Sequence, residues 1–283
     1  MRVLVVGWFS FLHGEATAGD VLAMEAVRAG LGGAGVPHDV AWSAVMCPAG
    51  GLRYDRAVPE RYSDVVFVCG PVHGEPVRDL HRRFHACRRL AVGVSVLDPG
   101  DPAVTGFHRI LVRDGPGMVP RRDLAALPAT RTVPVLGVCL THGQREYGER
   151  RRHEQVTEVL GAWLHGLDAA RLALDTRLDP RDWRTAATPD QVESVVRRLD
   201  VMVTTRLHGL VLALKNDVPV LAVDPVDGGG KVSAQACAWG WPGVLPAAGL
   251  DGPTLDRALA WCLSGGGSAT SSLRHGGGPA REP

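Results

Sequence analysis

The sequence is short of the features that mark several protein classes. Its six cysteines, Cys47, Cys69, Cys87, Cys139, Cys237 and Cys262, include no C-x-x-C pair. A disulfide framework or a zinc site of the usual spacing is not expected, and a reducing compartment is. Neither sign of charge predominates. The 31 Lys and Arg stand against 30 Asp and Glu, for a formal net charge of +1 and a pI near 7.7. That balance argues against nucleic acid or an anionic membrane as partner, so an anion site must come from local placement. No apolar run reaches the ~20 residues that span a bilayer, and nothing repeats at a solenoid period. The opening VLVVGWFSFL, followed by Ala16-Thr17-Ala18, has the outline of a signal peptide. Only one Arg precedes it, however, and Gly7 and Ser10 break it. We read it as a strand and expect a cytoplasmic protein.

What is present is ordinary for a globular chain. At 283 residues, 45% hydrophobic and 22% charged, it has material for one large domain or two of common size. The β-branched run 2–6 ends at Gly7, and 20–31 has helical apolar spacing closed by glycines. Strands are expected at 38–43, 64–69, 90–97 and 108–114, with a basic helix at 76–90. The pattern then restarts with strand 132–140, helix 152–167, strand 171–176 and helix 189–199. Strand 201–205, helix 209–216 and strand 218–224 follow. Short apolar strands alternating with helices imply parallel, doubly wound sheets. We expect two Rossmann-like domains, 1–120 and 121–263, and a disordered Gly/Ser-rich tail at 264–283.

The stretch TTRLHGLVLALKNDVPVLAVDP, residues 204–225, sets Arg206 and His208 between a buried strand and an apolar helix. In an open α/β sheet, ligands sit beyond the carboxyl ends of strands and face helix N-termini. Such an N-terminus favours an anion. Arg adds a planar fork suited to carboxylate or phosphate, and His a group that carries a proton near neutral pH. Spacing alone also allows a surface Arg and a helix-capping His.

This segment resembles the signature of the polysaccharide pyruvyl transferase family: a strand, Arg-Leu-His, a helix, "PV", a strand, and soon a Lys, here Lys231 after the DGGG loop. The loop ending in Gly19-Asp20, the strand DVVFVCG and the ILVRD around Arg113 resemble other landmarks in order. The stretch Ala16-Thr17-Ala18 departs from the family's Asn, and Pro71 from its second Gly. The resemblance implies a GT-B-like fold of two Rossmann-type domains whose parallel sheets face a cleft. It implies phosphoenolpyruvate as donor and a hydroxylated, sugar-containing acceptor, with no cofactor and no metal. His208 would be the general acid toward the enol methylene, and Arg206 would hold the donor's phosphate or carboxylate. Arg113 would reach the same anion from the first domain, and Lys231 would meet the donor's remaining charge. A GT-B nucleotide-sugar glycosyltransferase is the alternative, though no acidic ribose clamp is evident. A non-catalytic anion binder of the same fold is a third reading. The oligomeric state, a homo-oligomer included, stays open.

Several weaker signals have bland readings beside them. His81 and His85 have i, i+4 spacing but lack the H-E-x-x-H glutamate. The set Arg78, Arg82, Arg83, Arg88 and Arg89 reads as a solvated face or a patch for a diphosphate. DGGGK lacks phosphate-loop spacing because Val232 follows the Lys. His142 and Arg145 lie after strand 132–140 and either touch an acceptor or form a polar surface loop. Trp8, Phe9 and His13 are candidates to line a cleft, with Trp8 stacking on a sugar. Trp239 and Trp241 are expected to pack the C-terminal helix against the first domain.

Overall fold

The computed structural model describes residues 1–11 and 16–266. The chain divides into two compact units, Met1–Thr130 and a second that begins at Arg131.

The first unit holds a six-stranded parallel sheet in the order β3-β2-β1-β4-β5-β6. Its strands are β1 (Val3–Gly7), β2 (His38–Trp42), β3 (Leu52–Arg53), β4 (Asp64–Val68), β5 (Arg88–Ser95) and β6 (Arg109–Asp114). Its helices are α1 (Ala18–Gly33), α2 (Gly74–Arg83) and α3 (Pro102–Thr105). Both β1 and β4 are buried along their whole length, which explains their unbroken apolar sequence. Successive residues of β1 serve opposite faces: Leu4 and Val6 join a core with Phe67, Leu80 and Phe84, and Val3 and Val5 join one with Phe9 and Met24. The opening apolar run is thus an inner strand of this sheet.

The second unit carries β7 (Val135–Cys139), α4 (His153–Gly166), β8 (Ala170–Ala173), α5 (Pro189–Val196) and β9 (Val201–Thr204). After them come α6 (Leu207–Lys215), β10 (Val220–Asp224), α7 (Lys231–Trp239), β11 (Val244–Pro246) and α8 (Gly252–Trp261). Its five parallel strands run β11-β10-β9-β7-β8. Met202 packs with Val220 and Ala222 on one face, and Val201 and Val203 with Leu221 and Val223 on the other. Two parallel-sheet α/β units give the chain the make-up of a GT-B-like fold.

Some elements differ from expectation. The helix expected at 76–90 stops at Arg83. Beyond it, the Arg89 guanidinium gathers the carbonyls of Phe84 (3.0 Å), His85 (2.9 Å) and Cys87 (3.0 Å), as a cation at a helix C-terminus does. Trp241 joins the second unit's own core with Leu210 and Val220. It is buried in the second, its ring centroid 5.2 Å from that of Trp261 and its indole N–H donating to Val220 O at 2.9 Å. Ser264 and the two glycines after it close a last helical turn, and the rest of the expected tail lies outside the described residues. Among the described residues, no helix is long and apolar enough to cross a membrane.

Candidate functional site

Parallel sheets leave their ligand crevice where neighbouring strands send their connections to opposite faces. In the second unit that point lies between β7 and β9, whose ends pair in register at Cys139 and Thr204. Two buried threonines tie these ends together. Thr204 Oγ1 donates to Cys139 O at 2.7 Å and accepts from the Arg206 N–H at 2.9 Å. Thr205 Oγ1 accepts from the Thr141 N–H at 2.8 Å. Helix α6 starts directly above them, and at Gly209 no side chain fits: a Cβ there would sit 2.3 Å from Thr204 Oγ1. The strand end therefore dictates where the first turn of α6 lies. The amides of Leu207, His208 and Gly209 have no partner within the helix and carry its positive dipole end.

A pocket of about 320 Å³ opens here, lined by Thr141, Gln144, Arg206, Leu207, His208 and Lys231. The structure thus brings together Arg206, His208 and Lys231, which are separated by up to 25 residues in sequence. Arg206 is the N-cap of α6, and its guanidinium, 19% exposed, donates to Asp175 Oδ1 at 2.6 Å. Asp175 thereby fixes the fork at one end. His208 is exposed on the first turn. Lys231 opens α7, its Nζ 4.0 Å from Glu146 Oε1 and 6.0 Å from the Tyr147 ring centroid. The loop before it is held by buried Asp224, which accepts from the N–H groups of Gly230 (2.7 Å), Ser233 (2.8 Å) and Val226 (3.2 Å).

His142 and Arg145 are exposed and do not line this pocket. Gly143 and Gln144 both have left-handed backbone, φ 87° and 63°, and this double turn presents Gln144 to the pocket instead. Gln144, Thr141 and Asp175 were not singled out in the sequence. A polar residue in a loop carries no period, so nothing marks it before the fold is known.

In the first unit the crevice lies between β1 and β4. A pocket of about 530 Å³ there is lined by Gly19, Asp20 and Arg113, with Trp8, His73 and Asp123 among its other walls. Asp20 closes a capping box on α1: it accepts from Thr17 N–H at 2.9 Å and from the Thr17 hydroxyl at 2.8 Å, and its own N–H donates back at 3.2 Å. Arg113 is braced by Asp114 (2.6 Å), Ser95 Oγ (2.7 Å) and the Asp123 carboxylate. Strand β4 ends in two left-handed residues, Cys69 and Gly70, and Trp8 lies so close over Gly70 that a Cβ would meet its ring at 2.3 Å. Trp8 donates to Pro71 O at 3.1 Å and tilts against His73, 5.5 Å between centroids. Burial pushes the Cys69 thiol up to about 11, so it is no nucleophile at neutral pH. Phe9 is fully buried beside Trp42, whereas His13 lies outside the described residues.

The other signals resolve as structure. His81 Nε2–H donates to Ala103 O at 2.8 Å, and its ring meets Phe107 edge-on. No metal-holding cluster of His, Cys, Asp or Glu occurs among the described residues. Arg78, Arg82 and Arg88 are paired with Glu75, Asp79 and Asp64, and Arg83 and Arg89 with backbone carbonyls.

Comparison with known proteins finds a family match over part of the second unit. The description "Polysaccharide pyruvyl transferase" matches residues 159–227, a span that contains Asp175, Arg206 and His208 and stops short of Lys231. A comparison with curated proteins found no match. Among solved structures, the chain is similar to the spinosyn forosaminyltransferase SpnP at 16% identity, over 97% of this chain and 94% of that one, with a TM-score of 0.34. It is similar to E. coli heptosyltransferase WaaC with ADP at 14% identity, over 93% and 100%, with a TM-score of 0.29. It is also similar to the UDP-GlcNAc 2-epimerase from Methanocaldococcus jannaschii at 8% identity, over 98% and 100%, with a TM-score of 0.34. Similarity at these values carries nothing about substrate from those enzymes to this chain.

Proposed function

Residues 159–227 match the polysaccharide pyruvyl transferase family, and from that premise we propose that the chain is a pyruvyl transferase. It takes phosphoenolpyruvate as donor, forms a pyruvate ketal on a hydroxylated acceptor and releases phosphate. The observation that carries this reading is the shared pocket of Arg206, His208 and Lys231 at the N-terminus of α6. Two cations, an imidazole and the helix dipole suit a small ligand that bears a phosphate and a carboxylate.

The chemistry assigns each group a task. His208 delivers a proton to the methylene carbon, and C2 becomes an oxocarbenium-like centre. An acceptor hydroxyl attacks C2 and loses its proton, the C2–O bond to phosphate breaks, and a second hydroxyl closes the ketal. Of the two hydroxyl protons, one returns to His208 in place of the proton given to the methylene, and the other ends on phosphate. Arg206, steadied by Asp175, holds the donor's anionic end so that C2 stays within reach, and Lys231 neutralises the remaining charge. The first unit's pocket has chemistry for a hydroxylated ring. The Trp8 face offers stacking, and Arg113, Asp123 and Asp20 offer donors and acceptors. Gly19 lies in the first turn of the helix beside it. His142 and Arg145, exposed outside the second-unit pocket, take no part in this reading.

Thermal-shift and calorimetric titration with phosphoenolpyruvate and with nucleoside diphosphates, on wild type and Arg206→Ala, tests the donor. At a hundredfold excess over its dissociation constant, a ligand should stabilise the fold by about 2.7 kcal/mol. Stabilisation by phosphoenolpyruvate that disappears in Arg206→Ala is the expected result. A response to nucleotide alone would replace this reading with the glycosyltransferase one.

A further inference from the structure

The pocket contains a polar residue that the donor reading has not used. Gln144 lies on its wall, and its side-chain oxygen is 2.9 Å from Nε2 of His153, the first residue of α4. His153 is 2% exposed. Its other ring nitrogen, Nδ1, is buried with no hydrogen-bond partner among the described residues.

These facts determine which way the amide faces. A neutral imidazole has one N–H and one lone pair. With no acceptor at Nδ1, a proton there would be a buried, unpaired donor, the costlier arrangement. The proton belongs on Nε2, which donates to the Gln144 oxygen. The amide nitrogen of Gln144 is then directed away from His153, with both its hydrogens available. The backbone of Gln144 adds to the case: its φ of 63° and ψ of 58° place a non-glycine residue in the left-handed region, directly after Gly143 in the same region. Thr141, three residues before Gln144, adds a second observation. Thr141 is 7% exposed and lines the pocket, and its Oγ1 is buried without a partner among the described residues. This hydroxyl lacks a hydrogen-bond partner in a pocket whose lining also includes Arg206, His208 and Lys231.

We infer that Gln144 is a ligand of the anion in the α6 pocket, its amide held donor-inward by His153, which acts as a positioning residue. The inference rests on the reading that this pocket takes an anionic donor. The amide donates to an oxygen of the carboxylate or phosphate without adding charge. It therefore contributes direction where Arg206 and Lys231 contribute attraction. Thr141 Oγ1, itself buried, is an unpaired hydroxyl in the wall of the same pocket. His153 touches neither ligand nor reacting atoms and works only through the amide it orients.

The test is calorimetric titration of the full chain with phosphoenolpyruvate and, separately, with inorganic phosphate, with thermal midpoints recorded for every variant. Removing one hydrogen bond to a charged ligand in Gln144→Ala should weaken phosphoenolpyruvate binding about tenfold or more. Gln144→Glu, which keeps the size and the bond to His153 but places a carboxylate against the ligand, should weaken it further. Gln144→Asn retains a residue at ease in the left-handed region and should bind as poorly as the alanine variant, which separates reach from turn geometry. His153→Phe frees the amide to rotate and should weaken binding, and His153→Gln, which restores a donor near the Nε2 position, should recover it. If His153→Phe fails to fold, His153→Gln and the Gln144 series still decide. Binding that needs Arg206 but is unchanged in both Gln144→Ala and Gln144→Glu overturns the inference and leaves the donor reading standing. Phosphate binding that weakens in Gln144→Ala, with no binding of phosphoenolpyruvate to wild type, sinks the donor reading and supports the role of Gln144. If neither probe binds wild type, both are wrong.

Discussion

At the scale of single residues, the site is held by contacts that leave no spare volume. Gly209 is the clearest case. Alanine is the better helix former by about 1 kcal/mol, so a surface position would gain from Gly209→Ala. Here the added carbon would meet Thr204 Oγ1 at 2.3 Å and Cys139 Cβ at 3.5 Å. Thr204 cannot step aside without giving up its bonds to Cys139 O and to the Arg206 amide. We expect Gly209→Ala to cost about 1–3 kcal/mol, as overpacking does, and to weaken donor binding by displacing the first turn of α6. The combination of Thr204→Ala with Gly209→Ala removes the Oγ1 that the added carbon would meet at 2.3 Å and leaves the Cβ of residue 204 at 3.1 Å. Its cost should be less than the sum of the single changes, and additive values in thermal denaturation would show that the two do not touch. Arg206 and His208 were legible in the sequence because charged groups between two apolar runs have no place in a core. Gln144 and Asp175 were not, because a glutamine or an aspartate in a polar loop is indistinguishable from its solvated neighbours until the sheet edge collects them.

At the scale of elements, most of the fold could be read from hydrophobic period, and the exceptions have physical causes. Strands β1, β4, β9 and β10 are buried on both faces and appear as unbroken apolar runs. The two-residue β3 and the proline-containing β11 are too short to show a period. Helix α7 is hidden behind its glycine-rich loop, whose shape comes from one carboxylate and not from a pattern. Asp224 is 1% exposed and accepts three backbone N–H groups from the segment that delivers Lys231. Asp224→Asn would turn an NH₂ group toward those donors and leave at least one of them unsatisfied. A loss of about 1–3 kcal/mol should result, with donor affinity falling as it does in Lys231→Ala. Wild-type affinity in a destabilised Asp224→Asn protein would mean that the loop does not position Lys231 for the ligand.

At the scale of the whole molecule, the two units share an architecture and also a weakness toward acid. Each sheet places its pocket at its own point of strand reversal, and each unit holds one shielded histidine, half-buried in the first and buried in the second. His81 in the first and His153 in the second donate from Nε2, and both leave Nδ1 buried without a partner among the described residues. Burial is the main cause that lowers both from the ordinary value of 6.5. Arg89 and His108 add to the effect at His81. At His153, Arg151 adds to it, while Glu154, Asp224 and Glu146 oppose it. Above that value the rings are neutral in both folded and unfolded chains, and pH has no leverage through them. As pH falls below about 6.5, the unfolded chain takes up protons that the folded chain refuses, so stability declines until the folded rings also protonate. Carboxylates held low by basic partners, such as Glu193 beside Lys215 and Asp39 beside Arg2, enter chiefly below about 4.5, where their protonation costs further stability. The thermal midpoint of wild type should therefore fall between about pH 6.5 and 4.5, in a window that belongs to histidine and not to carboxylate. His81→Gln loses the edge-on contact with Phe107 and should start from a lower midpoint, yet its decline should be shallower, and the same holds for His153→Gln. The slope, not the starting value, is the quantity to compare. With both histidines replaced the window should be nearly flat. A double variant that keeps the wild-type slope would place the acid sensitivity elsewhere and remove the buried imidazoles as its cause.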